Sequence, residues 1–264
     1  MSKILQLATN NPDLMLTQAD VHWIELDSVD STNDYLSRAY QQGRVSGCAV
    51  VLAHSQTAGR GRAGRNWTAS PGGSLCVSVG LPIAGYQLPF LPLCVGVAVV
   101  QVLEGLGVPA RLKWPNDLMI DGQKLGGVLC ESFQGPSGPC TVIGVGLNIQ
   151  PVDVPHALSG AGATSLSRWV DASGLPPVRE LAEDCVLFIR KRIDEALAEG
   201  TSVLFQQFRL RDAWLGLNVV VQDEGKVLFS GHAMGIDESG AYLINASSGL
   251  RSVVAGDLSL RVAA

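Results

Sequence analysis

Several things are scarce in this sequence, and each scarcity removes a class of function. Charged residues are only 16% of the 264, against 47% apolar, which excludes a disordered or solvating chain. Basic residues do not predominate. Nineteen Lys and Arg face 24 Asp and Glu, giving a net charge of −5 and a pI near 5.3. That balance argues against general nucleic-acid binding, so any cluster of arginines is a local feature. The six cysteines (48, 76, 94, 130, 140 and 185) contain no CxxC pair and have no histidine at ligand spacing. Most sit in apolar runs, so buried reduced thiols are expected rather than zinc or disulfides. The first residues, "MSKILQLATNNPDLML", show neither the apolar core nor the cleavage site of a signal peptide. The longest apolar run, "LPLCVGVAVVQVLEGLGV", is broken by Pro92 and Glu104 and is short for a bilayer span. These absences predict a cytoplasmic globular protein without a membrane segment.

What is present is an alternation of strands and helices followed by an all-β tail. "DSTNDYLSRAYQQG" reads as a helix, with Ser31 and Asp34 in capping-box spacing, an apolar stripe at Tyr35, Leu36, Ala39 and Tyr40, and Gly43 at its end. "CAVVLAH" and "SLCVSVGL" read as buried strands on either side of an Arg/Gly loop, and residues 91–106 as a core helix. "ARLKWPNDLMIDGQKLGGVLCES" reads as three strands joined by turns at Pro115-Asn116-Asp117 and Asp121-Gly122. "CTVIGVGLNI" is a further strand. A Pro/Gly/Ser-rich stretch spans Pro151 to Pro177, and helices follow in "VRELAEDCVLFIRKRIDEALAEG" and "VLFQQFRLRDAWL". From Gly216 the texture changes to short strands with turns at Glu224-Gly225, Ser239-Gly240 and Ser248-Gly249, as in a small barrel. The expected domains are 1–215 and 216–264.

The Arg/Gly loop, "HSQTAGRGRAGRNWTASPGGSL", contains a Gly-x-Gly-x-x-Gly at residues 59–64. A dinucleotide turn needs its third glycine to open a helix, but Pro71, Gly72 and Gly73 soon after Gly64 forbid one. No acidic residue for a ribose follows at the end of a strand, and no HRD or DFG segment supports a kinase. What remains is three guanidinium groups (Arg60, Arg62, Arg65) spaced by glycines and followed by Trp67. Guanidinium forks bind phosphate or carboxylate bidentately, and glycine allows close approach. Such a loop suits folding over a nucleotide; the plain alternative is a solvated surface loop.

Two further clusters bear on that choice. "LKWPNDLMIDGQKLGG" carries Lys113, Asn116, Asp117 and Lys124, and "WPND" by itself can be an ordinary type I turn. Lys124 lies in an apolar strand, where an ammonium is costly unless it meets an anion. "IGVGLNI" interrupts a buried strand with Gly144 and Gly146 and leads to Asn148. Glycine inside a strand marks close approach of a ligand or packing against a neighbouring element.

Together, "DSTN", "QTAGRGRAGRNW", "KWPNDLMIDGQKLGG", "GVGLN" and "ATSL", in that order, resemble the biotin protein ligases. The likeness runs from about Ile24 to the end, with Asp257 standing where the family has Glu before its last strand. The resemblance implies an α+β fold: a mixed, largely antiparallel sheet with flanking helices, related to class II synthetase cores, plus a small C-terminal SH3-like β-barrel. It implies activation of biotin by ATP, with Mg2+, as biotinyl-5′-AMP, and transfer to a lysine of the biotin carboxyl carrier domain of acetyl-CoA carboxylase. Some family members also carry an N-terminal DNA-binding domain. Only about twenty residues precede the catalytic region here, so no DNA binding is expected; a homodimer stays open.

Residue by residue, the resemblance implies that Lys124, Arg60 and Arg62 are catalytic, with Lys124 bridging the biotin carboxylate and the α-phosphate. Ser31, Thr32, Asn33 and Gln56 would bind biotin with those three cations, and Gly59, Gly127 and Gly144 would line its slot. Arg62, Arg65, Trp67, Lys113, Asn116, Asp117, Lys124 and Asn148 would hold the ATP or adenylate, with Asp117 holding magnesium bound to the ATP phosphates. The lipoate ligases share the fold and the adenylation chemistry, but their "RRxSGGGxVYHD"-like signature is absent.

Overall fold

The computed structural model describes residues 21–69, 71–83, 89–151, 162–223 and 226–254, and the backbone of 259–262. The predicted Glu224-Gly225 turn, Asp257, the first twenty residues and much of the Pro151–Pro177 stretch lie outside these residues. Seven strands form one sheet: β1 (His22–Leu26), β2 (Ala49–Ala53), β3 (Ser74–Leu81), β4 (Arg111–Lys113), β5 (Asp117–Ile120), β6 (Gln123–Gly135) and β7 (Gly138–Asn148), in the order β1-β2-β3-β7-β6-β5-β4. Only the β1–β2 pair is parallel, so the sheet is mixed and largely antiparallel, as expected.

Alternation along the central strands divides the sheet into a greasy face and a spare one. Leu75, Val77 and Val79 of β3 and Ile143, Val145 and Leu147 of β7 point into the main core. Against that face lie α2 (Leu91–Gly105) and α3 (Val178–Glu199). The α2 sequence is apolar on nearly every side because it lies between the sheet, α3 and α4 (Ser202–Arg211). α4 ends at Arg211, earlier than predicted, because Asp212 turns extended (ψ 120) and residues 212–213 pair along the edge of β4.

The other face carries α1 (Thr32–Gln41), which buries Leu36, Ala39 and Tyr40 against β2 and β7. Ser31 caps it as predicted, its hydroxyl accepting from the Asp34 amide at 3.4 Å. The reciprocal half of the capping box is missing. The Ser31 amide is satisfied by Asp30 at 2.8 Å, and the Asp34 carboxylate is spent on Arg60.

Beyond Leu215, β8 (Asn218–Asp223), β9 (Lys226–Ile236), β10 (Tyr242–Ala246), β11 (Gly249–Val253) and β12 (Ser259–Val262) make a separate antiparallel sheet in the order β11-β10-β9-β8-β12. All six cysteines are free thiols and five are buried. Among the described residues, no helix is long and apolar enough to cross a membrane.

Candidate active site

The spare face of the sheet creates a cavity of about 580 Å³. Its floor follows from the period of two along β3, β7 and β6. Ser78, Gly144 and Leu129 stand side by side in register, then Cys76, Gly146 and Gly127, then Ser74 beside Asn148. Serine, cysteine and glycine at most of these places keep the floor low where other sheets carry bulk. The glycines of β7 also admit side chains of the chain itself. A Cβ on Gly144 would run into the Asn33 amide, and one on Gly146 would come within 2.7 Å of the Trp67 indole. These contacts carry the packing reading of "GVG".

One corner of the cavity is a preset polar network at the start of α1. The Thr32 amide and hydroxyl both donate to Gln56 Oε1, at 2.7 and 3.0 Å. The Ser78 hydroxyl lies 2.8 Å from Thr32 Oγ1 and 2.6 Å from Asn33 Oδ1. Thr32, Asn33 and Ser78 are all buried, so the network fixes their rotamers. Cys76 sits beside it. Burial pushes its thiol up to about 11, although the Trp67 and Gln56 side chains pull the other way, so at neutral pH it is a protonated thiol.

The Arg/Gly loop forms a small hairpin, not a helix N-terminus. Trp67 N donates to Gly59 O at 2.8 Å, Gly61 N to Arg65 O at 2.6 Å, and Arg60 pairs with Asn66 between them. Its tip, Arg62–Gly64, is a single 3₁₀ turn with Ala63 and Gly64 both left-handed (φ 53 and 68). The return strand passes so close to Gly59 that a Cβ there would meet Trp67 O at 2.6 Å. Gly59 thus serves the hairpin and is not among the cavity's lining residues. Arg62 donates to Asn116 Oδ1 at 3.1 Å, which ties the tip to the "WPND" turn across the cavity mouth. Arg60 turns aside to a bidentate contact with Asp34 (3.0 and 2.6 Å) and a second contact with Glu131 (2.7 Å).

The Trp114–Pro115 peptide of "WPND" is cis. After it, Asp117 lies between two ammonium groups, Lys124 Nζ at 2.6 Å and Lys113 Nζ at 3.1 Å. Burial alone would push the Asp117 carboxyl up, but the two lysines outweigh it and hold the group below the ordinary carboxylate value. The anion that Lys124 needed is therefore Asp117, and both line the cavity wall. Lys113 does not line the cavity. It backs Asp117 and stands 5.0 Å over the Trp214 ring. The C-terminal sheet braces the same turn, with Trp114 Nε1 donating to Gly240 O at 3.1 Å and the indole packing on Tyr242 at 5.6 Å. Asn148 is buried at the far end of β7 and donates to Thr164 O at 3.0 Å.

All the other predicted site residues line this one cavity; only Gly59 and Lys113 stand back from it. Cys76 and Leu129 line it as well, although the sequence reading gave them no place there, and so does Gly146. Their signal was the period-two stripe on three paired strands, legible only once the strands are in register. Asp34 and Glu131 were missed because their partner, Arg60, is distant in the chain. Among the described residues, no cluster of three or more His, Cys, Asp or Glu side chains is placed to hold a metal. Both Asp117 oxygens are taken by ammonium groups, so this carboxylate does not fit direct coordination of Mg2+.

The site is thus a cavity lined by Arg60, Arg62, Arg65 and Lys124 on a mixed sheet, the chemistry of a pocket for anionic substrates. Residues 25–148 match the biotin/lipoate A/B protein ligase family, and residues 215–261 match the biotin protein ligase C terminal domain. The chain is 32% identical over 247 residues to the biotin–[acetyl-CoA-carboxylase] ligase of Mycobacterium tuberculosis, covering 89% of each. It is 30% identical to the bifunctional ligase/repressor BirA of Bacillus subtilis, across 90% of this chain and 74% of that one. Its fold is similar to that of the biotin protein ligase from Aquifex aeolicus in complex with biotin and ATP, with a TM-score of 0.78, 28% identity, and coverage of 92% and 99%. The chain belongs to the biotin protein ligases of this family.

Proposed function

We infer that this protein is an ATP-dependent ligase that activates biotin as biotinyl-5′-AMP and transfers it to a lysine of the biotin carboxyl carrier domain of acetyl-CoA carboxylase. The observation that carries the reading is the ammonium of Lys124, held by Asp117 with Lys113 behind it, on the wall of a cavity that Arg62 and Arg65 also line. In the first step the biotin carboxylate attacks the α-phosphorus of ATP and pyrophosphate leaves. In the second, the carrier lysine's amine attacks the carbonyl of the mixed anhydride and AMP leaves. Two anions must meet in the first step, so the protein's task is to place cations where charge gathers in the transition state. Lys124 takes that role, fixed by Asp117, and Arg62 assists from the hairpin tip. Arg65 serves the outer phosphates.

Ser31, Thr32, Asn33 and Gln56 recognise the polar end of biotin, whose apolar body lies beside Gly127 and Gly144 on the cavity floor. Trp67, Asn116 and Asn148 border the nucleotide. Magnesium enters as the metal complex of ATP, as part of the substrate. A protonated Cys76 is not a competing nucleophile, which agrees with the substrate providing the attack itself. We place the reaction in the cytoplasm, where ATP is supplied. The test is exchange of labelled pyrophosphate into ATP, expected only when biotin is added. Exchange supported by lipoate or octanoate but not biotin would move the protein to the lipoate branch of the family.

A further inference from the structure

The carboxylate of Glu131 stands one step beyond Leu129 on the cavity-facing row of β6, and the two-step reaction leaves it without a role. Its Oε2 accepts from two different parts of the site, Arg60 Nη2 at 2.7 Å and Asn33 Nδ2 at 3.0 Å. Arg60 belongs to the hairpin, whereas Asn33 belongs to the buried network at the start of α1. One carboxylate therefore joins the hairpin to the buried network on the cavity floor. Asp34 completes the grip on Arg60 from the first turn of α1.

Two features set this cluster apart from an anion-binding site. A guanidinium between two carboxylates carries one net negative charge, which repels a substrate carboxylate or phosphate. Arg60 lines the cavity, but neither Asp34 nor Glu131 is among the lining residues. The carboxylates thus hold Arg60 from the side away from the ligand, and filling the cavity does not require the grip to open.

We propose that Glu131 is a positioning residue that keeps the Arg/Gly hairpin closed over the acyl-adenylate, controlling retention of the intermediate and not its formation. This inference rests on the ligase reading given above. An adenylate that escapes or meets water before the carrier lysine arrives is a wasted ATP, so a separate device for retention has a chemical purpose. The pairs are partly exposed (side chains 31–39% accessible), so the grip is of moderate strength and sensitive to salt.

The experiment compares wild type, Glu131→Gln, Glu131→Asp and Arg60→Lys with labelled biotinyl-AMP. Release of the bound adenylate is followed after an unlabelled chase, and formation from biotin and ATP is followed in a single turnover. Glu131→Gln should release the adenylate about three- to fivefold faster, the scale of a partly exposed ion-pair cluster, with formation unchanged. Glu131→Asp, which keeps the charge, should fall between the two. Arg60→Lys, which loses the fork, should also speed release, and the double variant should release no faster than the faster of its two parents. Added salt should speed release from wild type and much less from Glu131→Gln, a difference that a merely structural role would not produce. Unchanged release in Glu131→Gln, or formation impaired in proportion to release, overturns the inference. A wild-type chain that makes no biotinyl-AMP overturns the ligase reading with it, whereas retention independent of Glu131 overturns only the inference.

Discussion

Replacing Lys124 with methionine keeps most of the side chain's apolar stem on the cavity wall and removes its ammonium. The structure gives the change in charge directly. Asp117 is paired with Lys124 at 2.6 Å and Lys113 at 3.1 Å, so the substitution removes one of two positive charges beside it. Lys113 still neutralises Asp117, so the fold is spared an unpaired buried carboxylate and the loss appears in the chemistry. One preorganised cation at a developing charge is worth about 10²–10³ in rate, or about 2.7–4 kcal/mol. Adenylate formation in a single turnover should slow by that amount, while biotin affinity falls by less than about tenfold. Asp117→Asn is the informative companion. It leaves both ammonium groups and removes the negative charge between them, so it should slow formation less than the loss of Lys124. A Lys124→Met protein that forms adenylate within about threefold of wild type would refute the assignment, because a cation in the transition state is worth far more than that.

The remaining predictions concern the cavity's walls. Gly146→Ala puts a methyl carbon 2.7 Å from Trp67 Cε2; such overpacking costs about 1–3 kcal/mol and should displace the indole, which calorimetry would show as weaker adenylate binding. Gly61 has an ordinary extended backbone (φ −117), and a Cβ there would sit 3.4 Å from Arg65 O. Gly61→Ala should therefore stiffen the hairpin by about 0.4–1 kcal/mol. Hydrogen exchange over residues 58–67 should show greater protection in the variant, and in wild type on adding biotinyl-AMP. Trp114→Phe keeps the packing on Tyr242 but loses the bond to Gly240 O, so the melting temperature should drop about 2–4 °C for a loss near 1 kcal/mol, with a raised KM for ATP. The pH dependence has a definite sign. Asp117 titrates below its ordinary 3.8 when folded, so its stabilisation is complete above that value and is lost as pH falls through the depressed one. Acid unfolding of Asp117→Asn should lack that part of the transition.

Much of this molecule was legible in the chain itself. Buried apolar runs announced β2, β3 and β7, the cap and stripe from Ser31 to Tyr40 announced α1, and the change of texture at Gly216 announced the second sheet. These signals are local, because each element's hydrophobic pattern and end residues lie within a dozen positions. The cations were legible too: a lysine in an apolar strand and arginines spaced by glycine are costly unless an anion is near. Only the tertiary structure decided which anion each one meets. Lys113 on β4 and Lys124 on β6 share Asp117 on β5 between them, whereas Arg60 is claimed by Asp34 and Glu131, 26 and 71 positions away. The cavity floor was beyond the sequence for the same reason. Cys76, Gly146 and Gly127 become neighbours only when three strands settle into one register, and register is set by the packing of the opposite face against α2 and α3, a property of the whole sheet and not of any one strand.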